Sequence, residues 1–101
     1  MTQPSSESVL RELWRVVEGR KQEKPAGSYV AALMEAGHEA ISAKIIEEAY
    51  ELIHAAGEDP PDRMAITHEA ADLLFHLLVL LSANDVNFEH VERELTNRFG
   101  K

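Results

Sequence analysis

Five carboxylates stand in two tight clusters in this sequence, Glu47-Glu48-Ala49-Tyr50-Glu51 and Glu69-Ala70-Ala71-Asp72, both inside strongly helical sequence. An α-helix turns by about 100° per residue, so positions three or four apart share a face. Glu48 therefore projects with Glu51, Glu47 also falls beside Glu51, and Glu69 pairs with Asp72. Like charges at this spacing repel and weaken an isolated helix. A cation between them removes that repulsion, and oxygen-only ligands favour the hard ions Mg²⁺ or Mn²⁺ over zinc or copper. The expectation is a Mg²⁺ site between two antiparallel helices.

Taken alone, Glu47-Glu48-x-x-Glu51 reads more simply as a solvated acidic face, because glutamate is a good helix former. Asp72 shifts the balance. Aspartate is a poor helix former, and here it precedes nine mostly apolar residues, Leu73 to Leu81. A charge at such a place is costly unless it is paired or coordinates metal. Lys44 lies three and four residues before Glu47 and Glu48. It fits an ordinary ion pair within the helix or an ammonium reaching a substrate phosphate, and spacing alone slightly favours the first. His76 shares the Glu69–Asp72 face and reads as a packed core histidine or as a partner that orients Asp72. The other histidines have no zinc spacing. Arg20, Lys21 and Lys24 form a basic run that is either solvated or faces an anion.

The elements that must position these residues are helical throughout. Ser5 or Ser6 caps a first helix to about Arg20, with Val9, Leu10, Leu13, Trp14, Val16 and Val17 as its apolar side. A basic connection with breakers follows, from Arg20 to Gly27. Ser28 caps a short helix, Tyr29 to Ala36, closed by Gly37. A third helix spans His38 to Ala56 and ends at Gly57. Asp62 opens the fourth, which runs to about Ala83, and Asn87 caps a fifth that fades near Gly100. On the third helix Ile41, Ile45, Ala49, Leu52 and Ala56 form the buried stripe, with Ile46 and Ile53 at its far edge. Glu48 is the acid nearest that stripe. The fourth helix is apolar nearly all round from Leu73 to Leu81 and must be covered on most sides. The fold expected is all-α: a four- to five-helix chain whose third and fourth helices pair with those of a second copy in a dimeric helical bundle.

Composition narrows the function. The 101 residues are expected to form one domain over 1–101. There is no cysteine, which excludes disulfides, thiolate metal sites and a catalytic thiol. The net charge of −8 argues against nucleic acid as a partner. A phosphorylated small molecule stays open, because bound Mg²⁺ reverses the local field. Met1 to Ser8 lacks the regions of a secretory signal, and Leu73 to Leu81 is shorter than the roughly 20 residues a membrane span needs. A cytoplasmic protein with no membrane partner is expected.

Glu47-Glu48-x-x-Glu51 with Glu69-x-x-Asp72 resembles the all-α nucleoside triphosphate pyrophosphohydrolase superfamily. Four further stretches resemble one of its families, the phosphoribosyl-ATP pyrophosphohydrolases of histidine biosynthesis. They are Gly27-Ser28-Tyr29, Lys44-Ile45-Ile46-Glu47-Glu48, Asp72-Leu73-Leu74-Phe75-His76, and the closing Glu94-Leu95-x-x-Arg98. Ala43, Gly57 and Phe75 depart from residues common in that family. The resemblance implies a stand-alone homodimer that depends on Mg²⁺ and releases pyrophosphate from phosphoribosyl-ATP. With it, Glu48, Glu51, Glu69 and Asp72 are the expected metal ligands, Glu47 the group that activates the water or holds a second metal through water, and Lys44 the cation at the phosphates. Ser28 and Tyr29 are then expected as substrate contacts, and Arg20 and Lys21, in the one concentrated run of positive charge away from Lys44, as contacts to the phosphoribosyl phosphate, with His76 behind the ligands. Two other readings remain open at this point: a house-cleaning pyrophosphohydrolase of ordinary or damaged nucleoside triphosphates, and a non-catalytic helical adaptor with an acidic docking face.

Overall fold

The computed structural model describes residues 6–100, with side chains from Val9 onward. It is all-α. Five helices follow in order: α1 (Ser6–Glu23), α2 (Tyr29–Ala36), α3 (His38–Ala56), α4 (Arg63–Ala83) and α5 (Phe88–Phe99). The proposed cap at Ser5 lies outside the described residues. The three later caps form as the sequence implies. Ser28 Oγ accepts from the Ala31 amide, Asp62 Oδ1 from that of Ala65, and Asn87 Oδ1 from that of Glu89. Each satisfies a backbone donor that a helix start leaves unpaired.

Helix α1 runs past the expected end at Arg20 to Glu23, so Arg20 and Lys21 lie in its last turn and not in a connection. The extra turn closes because Lys24 takes a left-handed conformation, φ 50°, and its amide bonds back to the Arg20 carbonyl at 2.9 Å.

Helices α3 and α4 pack along each other, and α1 and α2 cover one end of the pair. Val17, Val30, Leu33, Ile41, Leu78 and Val79 form the buried core, with Leu13, Trp14, Ile45, Phe75 and Phe88 packed against it. Trp14 meets Phe88 with ring centroids 6.3 Å apart, which ties α1 to α5. Ser82, fully buried on α4, donates to Glu18 on α1 at 2.5 Å.

The buried stripe of α3 differs from the expected one. Ile41, Glu48 and Ala55 are its buried members, while Ile46 and Ile53 are 68% and 71% exposed. They lie on the side of the helix away from the core, together with Tyr50. On α4, Leu74 and Leu77 are exposed too, so a single chain leaves part of that apolar helix uncovered. At 21 residues α4 is long and apolar enough by composition to cross a bilayer. It nevertheless carries Glu69 and Asp72, which are costly in hydrocarbon.

One residue joins α2 to α3. Gly37 has φ 107° and ψ 179°, and its amide closes α2 by bonding the Leu33 carbonyl. A Cβ at Gly37 would meet open space, so what requires glycine is the backbone conformation and not crowding. Gly37→Ala should therefore cost about 1–3 kcal/mol. The readout is the urea midpoint at unchanged denaturant slope; a variant as stable as the parent would show that the turn is not strained for other residues.

Candidate active site

The acid clusters meet across the α3–α4 seam. Glu48 sits inside the seam, 6% exposed, with its Oε1 2.7 Å from His76 Nδ1 on α4. Further along α3, Glu51 faces Glu69. Partial burial, and then the charge of Glu51 and a hydrogen bond with it, raise the Glu69 carboxyl above the usual carboxylate range, with His68 opposing. Asp72 Oδ2 lies 3.3 Å from His68 Nε2, one turn back on α4. Glu47 Oε1 takes a hydrogen bond from Lys44 Nζ at 3.3 Å, and that bond holds the ammonium above its ordinary range.

Tyr29, the first residue of α2, reaches over the same seam. Its hydroxyl lies 2.8 Å from His76 Nε2, and its ring stacks on Phe75 with centroids 6.2 Å apart. Burial raises the Tyr29 hydroxyl, Lys44 opposes, and Glu48, Asp72 and Glu47 add to the rise. The Tyr29–His76 and Lys44–Glu47 bonds put Tyr29 and Lys44 beside the carboxylates.

His76 is the packed, hydrogen-bonded core histidine of the first reading and not the partner of the Asp72 side chain. It does not meet the carboxylate of Asp72; it touches that residue's backbone carbonyl, at 3.1 Å, and gives its side-chain bond to Glu48. The reason is helical geometry. A side chain four residues after Asp72 comes over the Asp72 carbonyl, while the ring itself points across the seam to α3.

The expected substrate contacts split into two groups. Tyr29 and Lys44 stand with the acids. Arg20, Lys21 and Ser28 line a different cavity of about 490 Å³, with Lys24, Ala31, Ala32 and Glu35, and none of the five seam carboxylates borders it. Lys21 spends its ammonium on the Ser82 carbonyl at 2.7 Å and Asp85 Oδ1 at 2.6 Å, fastening α1 to the end of α4. Ser28 spends its hydroxyl on the α2 cap.

Among the described residues no three acidic or histidine side chains converge on one point as a metal cage. The donor set nonetheless fits a hard cation in its chemistry. Glu48, Glu51, Glu69 and Asp72 offer only oxygen. The charge of Glu51 beside Glu69 disfavours the ionised Glu69 carboxyl, and a cation between them would relieve that repulsion. The exposed partners Lys44 and His68 hold the neighbouring acids only through surface pairs, each worth little.

Comparison with known proteins follows this geometry. Residues 10–99 match the family model described as phosphoribosyl-ATP pyrophosphohydrolase. A phosphoribosyl-ATP pyrophosphatase of Natronomonas pharaonis is 46% identical over 94 residues, 91% of this chain and 91% of that protein. One of Nitrosomonas eutropha is 40% identical over 96 residues, covering 95% of this chain and 80% of the relative. A histidine biosynthesis bifunctional protein HisIE of Prochlorococcus marinus is 42% identical over 100 residues, 99% of this chain but 44% of the longer protein. The chain belongs to the phosphoribosyl-ATP pyrophosphohydrolase family.

Proposed function

We propose that this chain hydrolyses phosphoribosyl-ATP to phosphoribosyl-AMP and pyrophosphate, as a cytoplasmic, Mg²⁺-dependent step of histidine biosynthesis. The observation that carries the reading is the meeting of two acid clusters at one helix seam in a chain of this family. The names of the relatives favour phosphoribosyl-ATP over ordinary nucleoside triphosphates.

Hydrolysis of a phosphoanhydride requires neutralised phosphate charge and a water held in line with the leaving oxygen. Mg²⁺, when bound, supplies charge neutralisation and polarises the phosphorus. Glu48, Glu51, Glu69 and Asp72 would hold it. The Lys44 ammonium, partly exposed and held only by a surface pair, turns from Glu47 to the substrate phosphates. That movement frees the Glu47 carboxylate to take the proton of the attacking water. The water oxygen bonds to the α-phosphorus, the bond to the α–β bridging oxygen breaks, and pyrophosphate leaves with that oxygen.

The second phosphate-bearing group of the substrate hangs from the adenine, at the far end from the triphosphate. It must be read some distance from the acids, and the cavity lined by Arg20 and Lys24 offers cations there. A homodimer belongs to the same proposal. Ile46, Tyr50 and Ile53 recur at helical spacing on the outer side of α3, and Leu74 and Leu77 are exposed on α4. An apolar surface of this kind is what a second copy would cover.

Four measurements test these points. Pyrophosphate release should be far faster from phosphoribosyl-ATP than from ATP or dCTP; equal turnover of all three would favour the house-cleaning reading. Glu51→Gln should abolish Mg²⁺-dependent turnover and the rise in melting temperature on adding Mg²⁺, while the metal-free variant melts no lower than its parent because a repulsion is gone. An intact Mg²⁺ response would exclude Glu51 as a ligand. Arg20→Ala should weaken phosphoribosyl-ATP turnover about ten- to a hundred-fold, the worth of roughly 1.5–3 kcal/mol for a charge-assisted contact, and leave residual ATP hydrolysis unchanged. Equal losses on both substrates would move the phosphoribosyl contact elsewhere. Sedimentation should give a dimer at micromolar concentration and a folded monomer for Ile53→Glu; a dimer in both would clear that face of a role in assembly.

A further inference from the structure

The cavity of about 490 Å³ beside α1 and α2 is lined by two cations, Arg20 and Lys24, and by one carboxylate, Glu35. None of these three side chains forms a hydrogen bond or an ion pair among the described residues. Lys21 also lines the cavity but adds no uncommitted charge, because Asp85 and the Ser82 carbonyl hold its ammonium. Opposite charges that share a cavity without pairing are kept apart by the fold. The ligand that suits them carries an anion for the cations and hydrogen-bond donors for the carboxylate.

Helix α2 sets the spacing. Counted from its cap Ser28, Ala31, Ala32 and Glu35 follow at three, four and seven residues, on the face that lines the cavity. Between Ser28 and Glu35 that face offers only the two alanine methyl groups, which suit the carbon side of a sugar ring. Tyr29 lies about 100° round the same helix and reaches the acid seam through His76. One short helix therefore divides the seam from the cavity.

Phosphoribosyl-ATP has an anion at each end, and its triphosphate carries more charge than its phosphoribosyl monophosphate. A cavity lined by cations alone would draw the triphosphate and seat the substrate backwards. Building on the reading of this cavity as the phosphoribosyl site, we propose that Glu35 determines which end of the substrate enters it. Its two oxygens accept hydrogen bonds from the ribosyl hydroxyls, the pairing by which carboxylates read ribose in nucleotide sites, while Arg20 and Lys24 take the single phosphate. Toward a triphosphate the same carboxylate is a repulsive element, since it meets phosphate oxygens and no donor.

The test uses metal-free protein, in which the acid seam repels phosphates. AMP serves as an N-linked ribosyl monophosphate, 2′-deoxy-AMP as its analogue lacking one hydroxyl, and tripolyphosphate as the opposite end. Followed by the amide NMR shifts of Ala31 and Ala32, AMP should bind the parent about tenfold more tightly than 2′-deoxy-AMP. Glu35→Ala, at an exposed helical position that alanine suits, should weaken AMP about tenfold, erase its advantage over 2′-deoxy-AMP, and strengthen tripolyphosphate about tenfold. A gain for both AMP and tripolyphosphate would reduce Glu35 to a nearby charge and overturn the proposal, as would no change in either. Glu35→Gln loses the charge and keeps an acceptor. It should match Glu35→Ala toward tripolyphosphate and retain part of the preference for AMP; identical behaviour of the two variants toward AMP would overturn the hydroxyl contact. Failure of the underlying reading has a different signature. AMP would then leave these amides unmoved in the parent, or bind Arg20→Ala as tightly as the parent, and the proposal would fall with the reading.

Discussion

The contact between Glu48 and His76 is the constraint on which the rest of this molecule depends. It joins a carboxylate from the inner face of α3 to an imidazole from the inner face of α4, both removed from water. Neither group is tolerable there without the other. The pair therefore fixes how far α3 is slid along α4. With the helices antiparallel, one turn forward on α3 and two turns back on α4 lead from this pair to the facing Glu51 and Glu69. Asp72 lies between, already bonded to His68. One buried polar contact thus sets the register of the whole acid seam, a task that interchangeable aliphatic side chains perform less specifically.

The remaining helices serve that seam. Helix α2 carries Tyr29 over it, and the Gly37 turn gives α2 the direction that lets the hydroxyl reach His76. Helix α1 is fastened at the far end by Glu18 and Lys21, which satisfy the buried Ser82 hydroxyl and the Ser82 carbonyl. These are hydrogen bonds between residues more than sixty positions apart, so they form only once the chain has folded.

Much of this was legible from residue types and spacing. Ser28, Gly37, Asp62 and Asn87 mark helix ends because each offers a local cap or a backbone freedom that its neighbours lack. The five acids and Lys44 fall together because helical periodicity is a property of one segment. What sequence could not give is which residue lies across a seam. His76 was read as a packed, hydrogen-bonded core histidine or as a partner of Asp72 on its own helix; it is packed and bonded, and its side-chain partner is Glu48, twenty-eight residues away on another helix. The signal that could have found it was Glu48 itself, the one acid whose angle falls among the apolar positions of α3. Lys21 was read as a solvated charge or a contact to a substrate anion, and its ammonium is bound to Ser82 and Asp85. The end of α1 was missed because a left-handed lysine at position 24 carries no compositional mark.

Helix α3 presents three different surfaces around its circumference. One is buried through Ile41, Glu48 and Ala55, one is charged through Lys44, Glu47 and Glu51, and one is exposed and apolar through Ile46, Tyr50 and Ile53. Because all three share a single winding, they cannot drift independently. Inserting or deleting one residue before Ile45 would rotate everything beyond it by about 100°, turning core into acid face and acid face into outer stripe in one step. Substitutions can adjust each surface separately, but changes of length are excluded across α3 and have room only in connections such as residues 57–62. This part of the chain is open to evolution by replacement and closed to evolution by insertion.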